Sequence, residues 1–164
     1  MPEKQTLERV RKAKQKGKSV STQAGEFVRE EMHHIREGRH GARSAKQAIA
    51  IGLSKARRAG VSLPPPEKGT VSEKTRRNAK RAYQAGQRRK PKPSRRRSKA
   101  TELALKREPR SAASRKALSQ QARAAARKRT RTERSASARR AARTKGRKGR
   151  SAAARKAART RGER

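Results

Sequence analysis

Beyond Ser72 the chain holds only four apolar side chains larger than alanine: Tyr83, Leu103, Leu105 and Leu118. Over residues 74–164, 36 basic residues stand against 4 acidic ones, a net charge of +32. Ordering a backbone costs about 1–2 kcal/mol per residue, and four scattered side chains cannot offset that while like charges repel. This half reads as an extended, fluctuating polycation when free. The rest of the composition agrees. The whole chain of 164 residues carries +40, all 12 acids are Glu, and Leu, Ile, Val and Phe together number only 15. That is well under the roughly 20% below which a highly charged chain reads as disordered. One large core is excluded, and with it a catalytic domain of ordinary size, because a preorganised pocket needs a packed scaffold.

The Phe, the Ile residues and one Met (Phe27, Met32, Ile35, Ile49, Ile51) fall between Thr22 and Gly60, with Val28 and Leu53 among them. Val28, Met32 and Ile35 recur at i, i+4 and i+7, which predicts a helix from Thr22 to Glu37. Gly38-Arg39-His40-Gly41 supplies the stop and turn. Ser44-Ala45-Lys46-Gln47 fits a capping box opening a second helix with Ile49, Leu53 and Ala56 on one stripe. Gly60 and Pro64-Pro65-Pro66 end it. The expected fold class is mostly disordered with all-α elements: a small helical hairpin, then a long basic low-complexity tail prone to helix on binding. The expected segments are 1–21, a basic lead; 22–60, the hairpin; 61–71, a Pro-rich linker; 72–87, a basic helix capped by Ser72; and 88–164, a disordered basic tail.

Within that tail Arg110-Ser111-Ala112-Ala113-Ser114-Arg115-Lys116-Ala117 returns as Arg134-Ser135-Ala136-Ser137-Ala138-Arg139-Arg140-Ala141. It returns again as Arg150-Ser151-Ala152-Ala153-Ala154-Arg155-Lys156-Ala157. Spacings of 24 and 16 residues give no solenoid period. Each unit nonetheless pairs a good N-cap (Ser) with the best helix former (Ala) and strong ones (Arg, Lys). Neutralising the charge on a polyanion should let such units fold.

Two stretches resemble a known family. Gly25-Glu26-Phe27-Val28-Arg29-Glu30-Glu31-Met32 and the run from Lys46-Gln47-Ala48-Ile49-Ala50 to Ala56-Arg57-Arg58-Ala59-Gly60 resemble small uncharacterised bacterial basic domains. Members are often labelled plasmid-stabilisation or DNA-binding-like proteins. The resemblance covers about 40 residues and implies a bacterial setting and a nucleic-acid role, with no catalytic residues to carry over. The tail resembles linker-histone-type tails, except that Arg outnumbers Lys, 33 to 19.

The charge points to a partner. Duplex DNA presents one negative charge per about 1.7 Å, so 32 positive charges balance about 16 base pairs. With one Phe, one Tyr and no Trp, the stacking platforms of single-strand and RNA readers are almost absent. Expected, therefore, is DNA binding and compaction without sequence preference by phosphate neutralisation, as a histone-like protein of the bacterial cytoplasm and nucleoid. DNA is preferred over RNA as partner. The candidate binding residues are Arg88, Arg89, Lys90, Arg95, Arg96, Arg97, Arg110, Arg115, Lys116, Arg134, Arg139, Arg140, Arg150, Arg155 and Lys156. Arg36, Arg39, Arg43 and Lys46 offer a weaker phosphate site on the hairpin. The alternatives are an RNA- or ribosome-associated basic protein, and a protein-docking or self-associating hairpin that the tail merely localises.

Other chemistry is not expected. Zero Cys removes disulfides, Cys-ligated zinc and thiol catalysis. There is no Asp for a Ser triad and no Gly-rich phosphate loop. A metal site from His33 and His34 with Glu30 and Glu37 fails because adjacent helical residues point about 100° apart. The expectation is no enzyme, no cofactor and no metal. No apolar run approaches the roughly 18 residues of a membrane span, so a soluble, non-secreted protein with no membrane insertion is expected.

Overall fold

The computed structural model describes residues 2–88 and 94–162. It overturns the expectation of a mostly disordered chain. Among the described residues there are seven α-helices: α1 Lys4–Gln15, α2 Val20–Arg36, α3 Ala45–Arg58, α4 Glu73–Gln87, α5 Arg95–Lys106, α6 Arg115–Arg127 and α7 Arg131–Gly162, with a 3-10 turn at Arg110–Ala113. The fold is all-α, with 76% of the chain helical. Two physical terms were misjudged. A like-charge pair on a helix surface costs only about 0.2–0.5 kcal/mol, less than the summed propensity of a segment built from Ala, Arg and Lys. Alanine, discounted as core material, is used as such at close helix approaches.

The chain divides into two compact units, residues 1–121 and 122–164. In the first, α2 is the central helix. It packs against α1, α3 and the 3-10 turn, while α4 packs on α3. The apolar stripe read from the sequence is split between two clusters. Met32 and Ile35 join Ala42, Ala48, Ala112 and Ala113, flanked by Val28, Ile49 and Leu118. Phe27 joins Ala24, Ala56 and Val61, flanked by Val10, Val20 and Leu53 among others. The hairpin is thus not the only part with tertiary structure. Val10 from the basic lead and Ala112, Ala113 and Leu118 from the supposed tail complete its core.

Local signals explain the boundaries. Ser19 and Ser72 accept the Thr22 and Thr75 N–H groups at 3.3 Å. Ser44 caps α3 by accepting Gln47 N–H at 3.2 Å. The reciprocal half of that box is shifted by one residue, because Gln47 Oε1 accepts from Arg43 N–H at 2.9 Å. At the end of α2, Gly38 sits at φ 78°. Its N–H reaches Ile35 O, and Arg39 N–H reaches His34 O at 3.0 Å, the paired bonds of a Schellman end. Gly52 answers a different need: a Cβ there would lie 2.7 Å from Val28 Cα, so α2 and α3 cross in near backbone contact. Arg57, only 7% exposed, donates to the Leu63 and Pro64 carbonyls at 3.2 and 3.1 Å, tying the Pro-rich segment to α3. Burial lowers its pKa from the ordinary arginine value.

Two backbone bonds fasten the last turn of α5 and the residues after it to the turn between α2 and α3. Gly41 N–H donates to Leu105 O at 2.8 Å and Ala42 N–H to Pro109 O at 3.0 Å. Arg36 Nε adds a bond to Ala113 O at 3.0 Å. These bonds satisfy polar groups at the helix ends that water would otherwise have to solvate.

In the second unit, α7 opens with a capping box absent from the sequence reading. Thr130 Oγ1 accepts Glu133 N–H at 3.2 Å, and Glu133 Oε2 accepts Thr130 N–H at 2.7 Å. The bonds it accepts from the Thr130 N–H and then from the Thr130 hydroxyl hold the Glu133 carboxyl below the usual range. The helix is broken at Gly146, whose φ 64° and ψ 177° are non-helical, and no residue of α7 is buried.

Candidate nucleic-acid interface

The cations singled out in the sequence fall into three settings. Arg88 caps the end of α4 and is exposed. Arg89 and Lys90 lie outside the described residues. Arg95, Arg96 and Arg97 form the exposed first turn of α5.

Arg110, Arg115 and Lys116 belong to the packed first unit rather than to a free tail. Arg110 opens the 3-10 turn, and its guanidinium lies so close to Gly38 that a Cβ there would stand 2.8 Å from Cζ. With Arg36 bonded to Ala113 O, two guanidinium groups gather at the C-terminal end of α2, where the helix dipole favours positive charge. Ser114 Oγ accepts Ala117 N–H at 3.2 Å, which places Arg115 and Lys116 in the exposed first turn of α6. The first repeat unit therefore uses its second serine as the cap.

Arg134, Arg139 and Arg140 lie in α7 before Gly146; Arg150, Arg155 and Lys156 lie after it, and all six are exposed. Ser135 and Ser151, expected to cap separate helices, are inside α7; Ser135 Oγ instead accepts from Arg139 at 3.0 Å. Residues 122–164 carry 18 basic and 2 acidic residues, a net of +16. Arg147, Lys148, Arg150, Arg155 and Lys156 have no acidic side chain within ion-pair distance among the described residues.

The weaker site on the hairpin is only half available. Arg39 is engaged by Glu3 at 2.6 Å and Glu37 at 3.0 Å, and Arg36 by Ala113 O. Arg43 and Lys46 remain exposed at the start of α3. Around the carboxylates that hold Arg39 the charge is mixed: a cleft of about 230 Å³ is lined by Glu3, Glu30 and Glu37 together with Arg9 and Arg29. Glu30 is 2% exposed and its Oε1 has no hydrogen-bond partner among the described residues. Such a cleft does not favour phosphate.

Sequence reasoning missed one constellation. His33 is exposed, whereas Glu31, His34 and His40 converge, with one ligand-type atom from each within 4.8 Å of the others. The available signal was the Glu31–His34 spacing of three residues, which puts both on one helix face. Nothing local announced that His40 would fold back onto them.

Among the described residues, no helix is long and apolar enough to cross a membrane. The model of a family of unknown function, DUF6496, matches residues 11–68. This span takes in the C-terminal end of α1 and all of α2 and α3 and stops before α4. The match carries no statement about plasmid stabilisation or DNA binding. Searches of curated proteins and of solved structures return no match to the chain.

Proposed function

We propose that this protein binds nucleic acid, duplex DNA foremost, through its phosphates and with little sequence preference, and compacts it as a histone-like component of a bacterial nucleoid. The observation that carries this reading is the second stretch of α7. Residues 147–162 carry seven cations and no acid over about 24 Å of helix at 1.5 Å per residue. That is one charge per about 3.4 Å, the spacing of phosphates along one DNA strand. An α-helix fits the major groove, and arginine engages phosphate bidentately. With two aromatic residues in the chain, base stacking contributes little. The reading assigns no catalytic chemistry to the protein. The labels attached to the family it resembles, plasmid stabilisation among them, fit such a role.

Mobility shifts of the full chain on unrelated duplexes across a salt series test the reading. Binding to all of them should weaken steeply and alike as salt rises. Neutralising Arg147, Lys148, Arg150, Arg155 and Lys156 together to Gln should remove most of the affinity. Salt-independent binding, or unchanged binding by that variant, refutes it. Cross-linking in cells followed by sequencing separates DNA from RNA, and a yield dominated by ribosomal RNA moves the proposal to RNA.

A further inference from the structure

Glu31 is fully buried in α2. Its Oε2 faces Lys55 Nζ at 2.5 Å and its Oε1 lies 3.1 Å from His40 Nε2, yet among the described residues neither oxygen receives a well-directed hydrogen bond. His40 Nδ1 is 3.0 Å from Gly41 O. A carbonyl oxygen only accepts, so the ring proton sits on Nδ1, and a neutral imidazole then turns the Nε2 lone pair toward Glu31 Oε1. Two lone pairs at that separation, shielded from water, repel. A positive centre belongs between them, either a second proton on His40 or a metal ion. A nitrogen of His34 stands within 4.8 Å of both.

We propose that Glu31, His34 and His40 bind a divalent transition metal, zinc foremost. One carboxylate with two imidazoles is a donor set suited to zinc, whose bonds of about 2.0–2.2 Å put tetrahedral ligand atoms about 3.3 Å apart. The 3.1 Å gap between His40 and Glu31 is close to that edge. Imidazole donors disfavour calcium and magnesium. Each ligand already has the outer partner that metal sites use to fix orientation. Lys55 holds Glu31 Oε2, leaving Oε1 for the metal. The Gly41 carbonyl fixes the His40 tautomer. Glu3 Oε1 lies 3.0 Å from His34 Nε2, and it also binds Arg39 Nη1, which stands 3.1 Å from the same nitrogen. The site is enclosed, with side-chain exposures of 0%, 11% and 14% for Glu31, His34 and His40. Metal here would pin the turn after α2 to the helix itself, immediately beside Gly41 and Ala42, whose N–H groups hold the end of α5 and the segment after it. The proposal is independent of nucleic-acid binding.

The test uses the full chain without an affinity tag, stripped of metal by a chelator. Titration with ZnCl2 should show one saturable equivalent and a raised melting temperature, and CoCl2 should give the visible absorption of tetrahedral cobalt. His34→Gln and His40→Gln should each weaken zinc binding by more than about a hundredfold and abolish that spectrum. Glu3→Gln should weaken it about tenfold, as loss of an outer partner does. His33→Gln should change nothing. Absence of saturable zinc and cobalt uptake by the native chain overturns the proposal and leaves a proton as the bridging charge. Equal binding by His34→Gln and His40→Gln overturns it too. Should a variant fail to fold by circular dichroism, the cobalt spectrum of the native chain decides.

Discussion

Glu31 and Lys55 face each other across the α2–α3 contact, with the carboxylate wholly buried and the lysine side chain a quarter exposed. The two ends of the pair are therefore not equivalent. Lys55→Met strands a buried anion and should cost about 3 kcal/mol of stability. Glu31→Gln should cost less, because the freed ammonium can turn to water. The double variant should recover part of the Lys55→Met loss. Urea unfolding of all four proteins, read as a double-mutant cycle, measures the difference.

The close crossing at Gly52 makes a second expectation. A methyl group there would meet Val28 Cα at 2.7 Å, an atom that cannot rotate away. Gly52→Ala should destabilise the first unit by about 1–3 kcal/mol through overpacking, outweighing the helix propensity that alanine normally adds. Thermal melts of the two proteins decide the sign.

Acid should loosen the junction between α1 and the turn after α2. The Glu3 carboxyl is held below the ordinary glutamate value of 4.5 first by its hydrogen bond with His34 and then by that with Arg39. A carboxyl whose pKa is lower in the folded chain contributes its stability above the ordinary value. That contribution disappears as the pH falls through the lowered one. Unfolding midpoints followed from neutral pH downward should drop in that window, and the drop should shrink in Glu3→Gln.

Salt dependence gives the arm a quantitative check. If residues 147–162 engage about seven phosphates, log Kobs should fall with log salt at a slope of about −6. Replacing Lys148 by Gln should reduce the steepness by about 0.9 on every duplex tried. A change confined to one sequence would indicate base reading instead.

Packing of the 105–118 segment should be visible at two amides. Ala113 is fully buried against the Met32–Ile35 cluster, so Ala113→Arg should detach the segment. Hydrogen exchange at Gly41 and Ala42, which donate to Leu105 and Pro109, should accelerate while that of mid-helix α2 amides changes little.

How much of this was readable beforehand follows from the range of the interactions. Ser44, Ser72 and Gly38 announce helix ends because capping acts within four residues, and α2 and α3 lie where Val28, Met32, Ile49 and Leu53 recur. The docking of Ala112, Ala113 and Leu118 was invisible, because it depends on small side chains meeting Ile35 across some eighty residues of chain. The helicity of α7 was misjudged because repulsion was summed over the chain, whereas the opposing term acts residue by residue. Of the candidate contacts, Arg110 proved to be seated on Gly38, a placement with no local signature. His40 was unreadable for a similar reason: its approach to Glu31 is set by how the turn closes.

The break at Gly146 sorts the cations of α7 into six before it and seven after. A single stiff rod must follow the curvature of a bound polymer along its whole length or leave charges hanging. Two articulated segments need match only half each. On the proposed polyanion the arm is consequently bivalent: once one segment has landed, one residue of slack keeps its neighbour at high local concentration. Escape then requires both to let go together, so avidity and residence time grow without any single contact becoming stronger.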